Sequence, residues 1–268
     1  MKILHYWRAL WGIVWRECWR FVTQTERFVS ALVRPLVWLF IFAAGFRSAL
    51  GLAISPPYET YILYEVYIVP GLCGMIQLFN GMQSSLSMVY DREMGSMRIL
   101  LTCPLPRWFL LFAKLLAGTA VSILQVYVFL AVAWCYEIRP PWIGYAWAFP
   151  ALVLSGMMLG ALGLLLSSFI KQLENFAGVM NFVIFPMFFL STALYPLWKI
   201  KESSALLHRL AEYNPFSQGV ELVRFALYGQ FNPTACAYTL VSFIVFMALA
   251  ILGYNPSKGM MTRKAGVG

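Results

Sequence analysis

Six stretches of about twenty apolar residues recur along the chain. They run at about Ala31–Ile54, Val66–Val89, Leu115–Tyr136, Tyr145–Phe169, Phe176–Leu194 and Pro233–Gly253. A helix of that length crosses the hydrocarbon of a bilayer, and only helices and closed barrels satisfy every backbone amide there. These runs are continuous, whereas barrel strands alternate in short segments. The expected fold class is an all-α polytopic membrane protein with six transmembrane helices. Composition agrees: 61% of the 268 residues are hydrophobic and 12% charged, about half the charge of a soluble domain. The apolar content excludes disorder. Five cysteines, sparse and odd in number, exclude a secreted disulfide scaffold.

The net charge of +9 points to a membrane partner and not to nucleic acid. Lysine and arginine collect on the cytoplasmic side of polytopic proteins. With the N-terminus inside, the cytoplasmic pieces are 1–30, 90–114, 170–175 and the tail after Gly253. Counting Arg34 as snorkelling inward, these hold fourteen of the twenty basic residues. Both termini are therefore expected in the cytoplasm.

Residues 1–30 have no short apolar core before a small-residue cleavage site, so they are not read as a cleaved signal. Leu4, Trp7, Trp11, Val14, Trp15, Cys18 and Val22 share one helical face, with Lys2, His5, Arg16 and Arg20 opposite. Such a helix is expected to lie in the headgroup plane of the inner leaflet. Residues 31–254 form the transmembrane domain, and 255–268 a cytoplasmic tail. Within the domain, 195–232 is too polar to span. Its short apolar piece, Phe216–Tyr228, is interrupted by Glu221 and Arg224, which predicts a re-entrant element dipping from the outer face.

Enzymatic chemistry has little to stand on. The sequence carries no GxxxxGK[ST] run, no CxxC and no HExxH, so neither a P-loop nor a zinc motif is present. Asp91 and Glu93 are the close acidic pair, too little for an enzyme acting on lipid-linked sugars. No span carries the buried carboxylates expected of an ion-driven secondary transporter, although that class stays as the alternative.

Two features place charged or polar side chains within the predicted spans. Arg47 lies in the outer half of the first span and either snorkels outward or faces a polar cavity or an anionic headgroup. Gln77, Asn80, Ser84 and Ser87 form a stripe along the second span, with Gln83 and Ser85 nearby. Such residues either bond across a helix interface or line a wet path. Gly156, Gly160, Gly163 and Ser167 give the fourth span a small face for close helix approach.

The loop 90–114 reads YDREMGSMRILLTCPLPRWFLLFAK: a mixed-charge start, a short apolar run and a Pro104-x-Pro106 break. This predicts a short surface helix followed by a rigid turn. Here the sequence resembles the type 2 ABC transporter permeases, the family of polysaccharide, nodulation-factor and drug exporter subunits. The loop matches that family's pattern through Arg92, Glu93, Gly95, Leu100, Thr102, Pro104 and Lys114. Val69–Leu72 (VPGL) resembles the start of its second span. Phe189–Leu197 (FLSTALYPL) resembles its outer turn with Pro196, and Asn214–Gly229 its NP……R motif through Asn214, Pro215, Arg224 and Gly229. The likeness covers nearly the whole chain, with Arg98 where the family often has Glu and Thr192 where it often has Gly.

The resemblance implies a half-transporter in the inner membrane of a bacterium. Two copies would pair, and each would dock a separate ABC ATP-binding subunit. Residues 91–101 would form the coupling helix, with Asp91, Arg92, Glu93, Gly95, Met97, Arg98, Leu100 and Pro104 at the ATPase. Cargo would move outward. ATP and magnesium would be bound by the partner, so this chain would hold no cofactor.

Overall fold

Helix α5 (Trp142–Phe169) is the post around which the other helices stand, and its sequence explains why. Fifteen of its residues are buried, among them Gly144, Ser155, Gly156, Gly160, Gly163 and Ser167. Small side chains let neighbouring backbones approach on several sides, and dispersion between close helices is what holds a bundle in lipid. The computed structural model describes residues 2–23, 32–41, 56–58, 62–93, 106–170 and 172–253, and these are helical throughout with short connections.

Ahead of α5 come α1 (Lys2–Thr23), α2 (Leu32–Ile41), α3 (Tyr64–Glu93) and α4 (Arg107–Cys135). After it come α6 (Leu173–Phe189), the short α7 (Leu197–Ser203) and α8 (Ala205–Tyr213), then α9 (Pro215–Leu227) and α10 (Pro233–Gly253). Helix α5 packs against α3, α10, α9 and α4; α3 also meets α4, α6 and α9. Among the described residues, Trp108–Cys135, Trp142–Phe169 and Pro233–Gly253 are long and apolar enough to cross a membrane. Helix α3 is longer than any of them, but its polar stripe dilutes the hydropathy. Helices α2 and α6 are shorter apolar segments at the predicted first and fifth spans. Helix α10 is the most peripheral span, with Val241, Ile244 and Leu252 exposed.

Where α3 crosses α5, a Cβ on Gly81 would sit 3.0 Å from the backbone of Gly160, so the two backbones nearly touch. The small-residue face predicted for the fourth span thus finds its partner in the second.

Helix α1 packs along α4, with Tyr6 meeting Phe109 edge-on at 5.0 Å. Half-buried side chains are Tyr6, Ala9, Leu10, Ile13, Val14 and Cys18. Trp7, Trp11, Trp15 and Trp19 point away and are 59–64% exposed; Trp11, Trp15 and Trp19 stack at 6.3 Å spacings. The predicted apolar face therefore divides: Val14 turns toward the protein, and the tryptophans form an outward ladder. Exposed indoles on a basic helix suit the headgroup layer.

Helix α2 is seated on α3 by Arg34, whose guanidinium lies 4.0 Å from the centre of the Phe79 ring. Trp38, one turn on, meets Phe188 and Phe189 at the end of α6, and Phe40 meets Tyr136 just past the end of α4. Arg34 thus reaches across to the middle of α3, where the face of the Phe79 ring offers it an electrostatic partner.

Candidate functional site

The polar stripe of α3 separates by direction. Gln77 is 1% exposed; its Nε2 donates to the Leu152 carbonyl at 2.7 Å, and its Oε1 accepts from the Ser155 hydroxyl at 2.6 Å. It ties α3 to the backbone of α5. Asn80, half-buried, donates to the Gln125 side chain on α4. Ser85 turns inward and bonds the Gly81 carbonyl. Ser84 is half-buried, while Gln83 and Ser87 are exposed.

Between α3, α4 and α5, Gln77, Gly81, Ser84 and Ser85 border a cavity of about 10 Å³, lined also by Lys114, Gly118, Thr119 and Ser122. Room of that size holds a single water. Thr119 Oγ1 is buried there without a hydrogen-bond partner among the described residues, and so, elsewhere on α4, is Gln125 Nε2.

At the C-terminal end of α6 a second polar cluster closes the turn between α6 and α7. Helix ends leave carbonyls without partners, and a buried end must find donors. Here side chains from α3 and α9 supply them. Asn214 Nδ2 donates to the carbonyls of Met187 and Leu190, at 2.8 and 2.7 Å. Its Oδ1 accepts from the Phe216 amide, so the same residue caps α9, with Pro215 in the first turn where a missing N–H costs nothing. The Thr192 carbonyl accepts from Arg224 Nη2 at 2.7 Å and from the Tyr67 hydroxyl at 2.9 Å. Tyr64 donates to the Leu194 carbonyl at 2.9 Å. Pro196, buried, precedes α7.

Arg224 is 2% exposed, pairs with Glu221 one turn earlier, and lies 4.1 Å over the Tyr67 ring. Tyr58 packs against Tyr228 at 4.7 Å; burial raises its phenol above the ordinary tyrosine range, so it is a neutral hydroxyl. The turn lies so close to α3 that a Cβ on Gly71 would fall 2.3 Å from the Ala193 carbonyl oxygen. That contact accounts for the glycine in VPGL. Sequence reading singled out Asn214, Pro215, Glu221 and Arg224 on α9; it missed Tyr64, Tyr67 and Ser217, whose hydroxyl accepts from the Thr192 amide at 3.2 Å. A tyrosine pair three residues apart at the start of an apolar run was the available signal.

At its C-terminal end, α3 continues as helix through Asp91, Arg92 and Glu93, beyond the predicted span. Gly95, Met97, Arg98, Leu100 and Pro104 lie outside the described residues, as does Arg47.

The pattern that defines the ABC-2 type transporters matches residues 8–228 of this sequence. The chain belongs to the ABC-2 type transporter family. Among its relatives is a protein named transport permease ycf38, from Porphyra purpurea, 25% identical over 84% of this chain and 74% of the relative. The Escherichia coli K12 protein named multidrug ABC transporter permease YbhR is 30% identical over 62% of this chain and 45% of its own length. Nodulation protein J of Rhizobium leguminosarum bv. viciae is 21% identical over 89% of this chain and 93% of the relative. An ABC-2 permease is the membrane subunit of a transporter whose ATPase is a separate chain.

Proposed function

We propose that this chain is the membrane-spanning permease of an ATP-driven exporter, built as a pair of copies with one ATP-binding subunit on each. The family match over 8–228 carries the reading. In it the chain spans the inner membrane of a bacterium six times, at α2 to α6 and α10, with both termini cytoplasmic. Helix α9 is the re-entrant element, and α1 lies at the inner headgroups. Residues 91–101, continuing from the end of α3, form the coupling helix that the ATP-binding subunit moves through Asp91, Arg92, Glu93, Gly95, Met97, Arg98 and Leu100, before the Pro104 break. Nucleotide and magnesium belong to that partner. Cargo passes outside the protomer's core, where Asn80 and Ser84 stand on the edge of α3 with Arg47 toward the exit, and Gln77 anchors the helix behind them. The names of the relatives, a multidrug permease and a nodulation protein, suit an amphiphilic, glycan or drug-like cargo.

The test is co-reconstitution in vesicles with the ATP-binding subunit. Cysteines placed at Met94 or Arg98 are expected to form a disulfide with a cysteine in the subunit's groove, and ATP to drive transport. Cargo movement by the permease alone, with no nucleotide hydrolase present, overturns the reading.

A further inference from the structure

Along α3, Phe79, Gln83, Ser87 and Tyr90 follow at helical spacing on one face, and the last three are exposed. Their depth can be read from the neighbours. Asn80, beside Phe79, bonds Gln125, which lies about 15 Å along α4 from its outer end at Cys135. Gln77 bonds Leu152, about 15 Å along α5 from its outer end at Trp142. That is half of a hydrocarbon core of about 30 Å. Phe79 therefore stands near the midplane, and Arg34 stands over it. Arg34 is itself exposed, and among the described residues no carboxylate pairs with it.

A guanidinium in contact with lipid chains at that depth is costly, and such groups face a bundle interior or a watery cavity. The exposed amide and hydroxyl of Gln83 and Ser87 carry the polar character about 6 and 12 Å further inward. The face is thus a polar strip rising from the inner surface and ending in a fixed cation. One turn further along α2, Trp38 leads to an apolar row on α6, where Phe182, Phe185 and Phe189 are exposed.

Building on the permease reading, we propose that Arg34, Gln83 and Ser87 line a water-filled path outside the protomer core, and that Arg34 binds the anionic group of an amphiphilic cargo. The apolar row on α6 takes the cargo's chain. The ring of Phe79 holds the guanidinium in place before cargo arrives, so part of the ordering cost is already met.

The experiment uses the full chain in lipid nanodiscs, with its five cysteines replaced and single cysteines returned at Gln83, at Ser87, or at Val241 on α10. A membrane-impermeant methanethiosulfonate reacts with thiolates, which form only where water reaches. Gln83→Cys and Ser87→Cys are expected to label and Val241→Cys to stay silent. Dodecyl phosphate is expected to slow labelling of Gln83→Cys, and the neutral dodecyl maltoside to leave it unchanged. Adding Arg34→Gln should raise the protecting concentration of dodecyl phosphate about tenfold, and Arg34→Lys should recover most of the loss. Silent Gln83→Cys and Ser87→Cys, equal protection by both amphiphiles, or protection indifferent to Arg34→Gln each overturn the proposal. No step requires the ATP-binding subunit. The permease reading fails separately, if the reconstituted complex moves cargo without hydrolysing ATP.

Discussion

Removing the Arg224 guanidinium leaves the Thr192 carbonyl short of a donor and the Glu221 carboxylate, mostly shielded from water, without its cation. Breaking a buried pair from one side costs about 3 kcal/mol or more. Arg224→Gln is therefore expected to lower the unfolding midpoint of the purified protein clearly, read by thermal denaturation in nanodiscs. The polar residues of α3 offer a finer comparison. Gln77→Leu loses two interhelical hydrogen bonds and should cost about 1 kcal/mol. Gln83→Leu, exposed and without such bonds among the described residues, should leave stability nearly unchanged in the same measurement. The stripe itself was legible in the sequence, but its direction was not. Gln77, Asn80, Ser84 and Ser87 spread over about 80° of a helix with 3.6 residues per turn. The Gln77 edge of that arc meets α5 while Ser87, at the other edge, is exposed, and periodicity carries no information about where neighbours stand.

Among elements, five of the six apolar runs coincide with helices, and the described part of the first, 32–41, is helical too, because bilayer-length apolar segments have few alternatives. The stretch 195–232 was harder to read. A single re-entrant piece was expected, and three helices occur, α7, α8 and α9, with Asn214 between the last two serving as cap and donor and not as part of a solvated loop. Helix α1 shows the same limit: the moment of its sequence marks an amphipathic helix, yet two apolar directions were read as one. Close approach is the most sensitive property at this scale. With a Cβ on Gly71 2.3 Å from the Ala193 oxygen, Gly71→Val must push the outer turn off α3, and overpacking of this kind costs about 1–3 kcal/mol. Reduced recovery of folded protein by size-exclusion chromatography in detergent is the expected result. Gly178→Ala, where a Cβ meets no described neighbour, should behave as the unaltered chain.

For the whole molecule, family membership and the exposed polar strip bear on the same question of what stands beside the protomer. A midplane cation and exposed amides are tolerable in lipid only if something other than lipid covers them. Native mass spectrometry of the complex released from nanodiscs should therefore give two copies of this chain with two ATP-binding subunits; a single copy with a single subunit would contradict the paired arrangement.

The backbone of α9 carries one last implication. Its final turn brings the Leu227 carbonyl against Gly144 of α5 so closely that no Cβ fits between them, while Arg224 and Asn214 fasten its other side to the α6–α7 turn. Fastened on both sides, α9 moves only together with α5 and the α6–α7 turn. In the proposed exporter, any widening at this end of the bundle would displace all three as one rigid jaw.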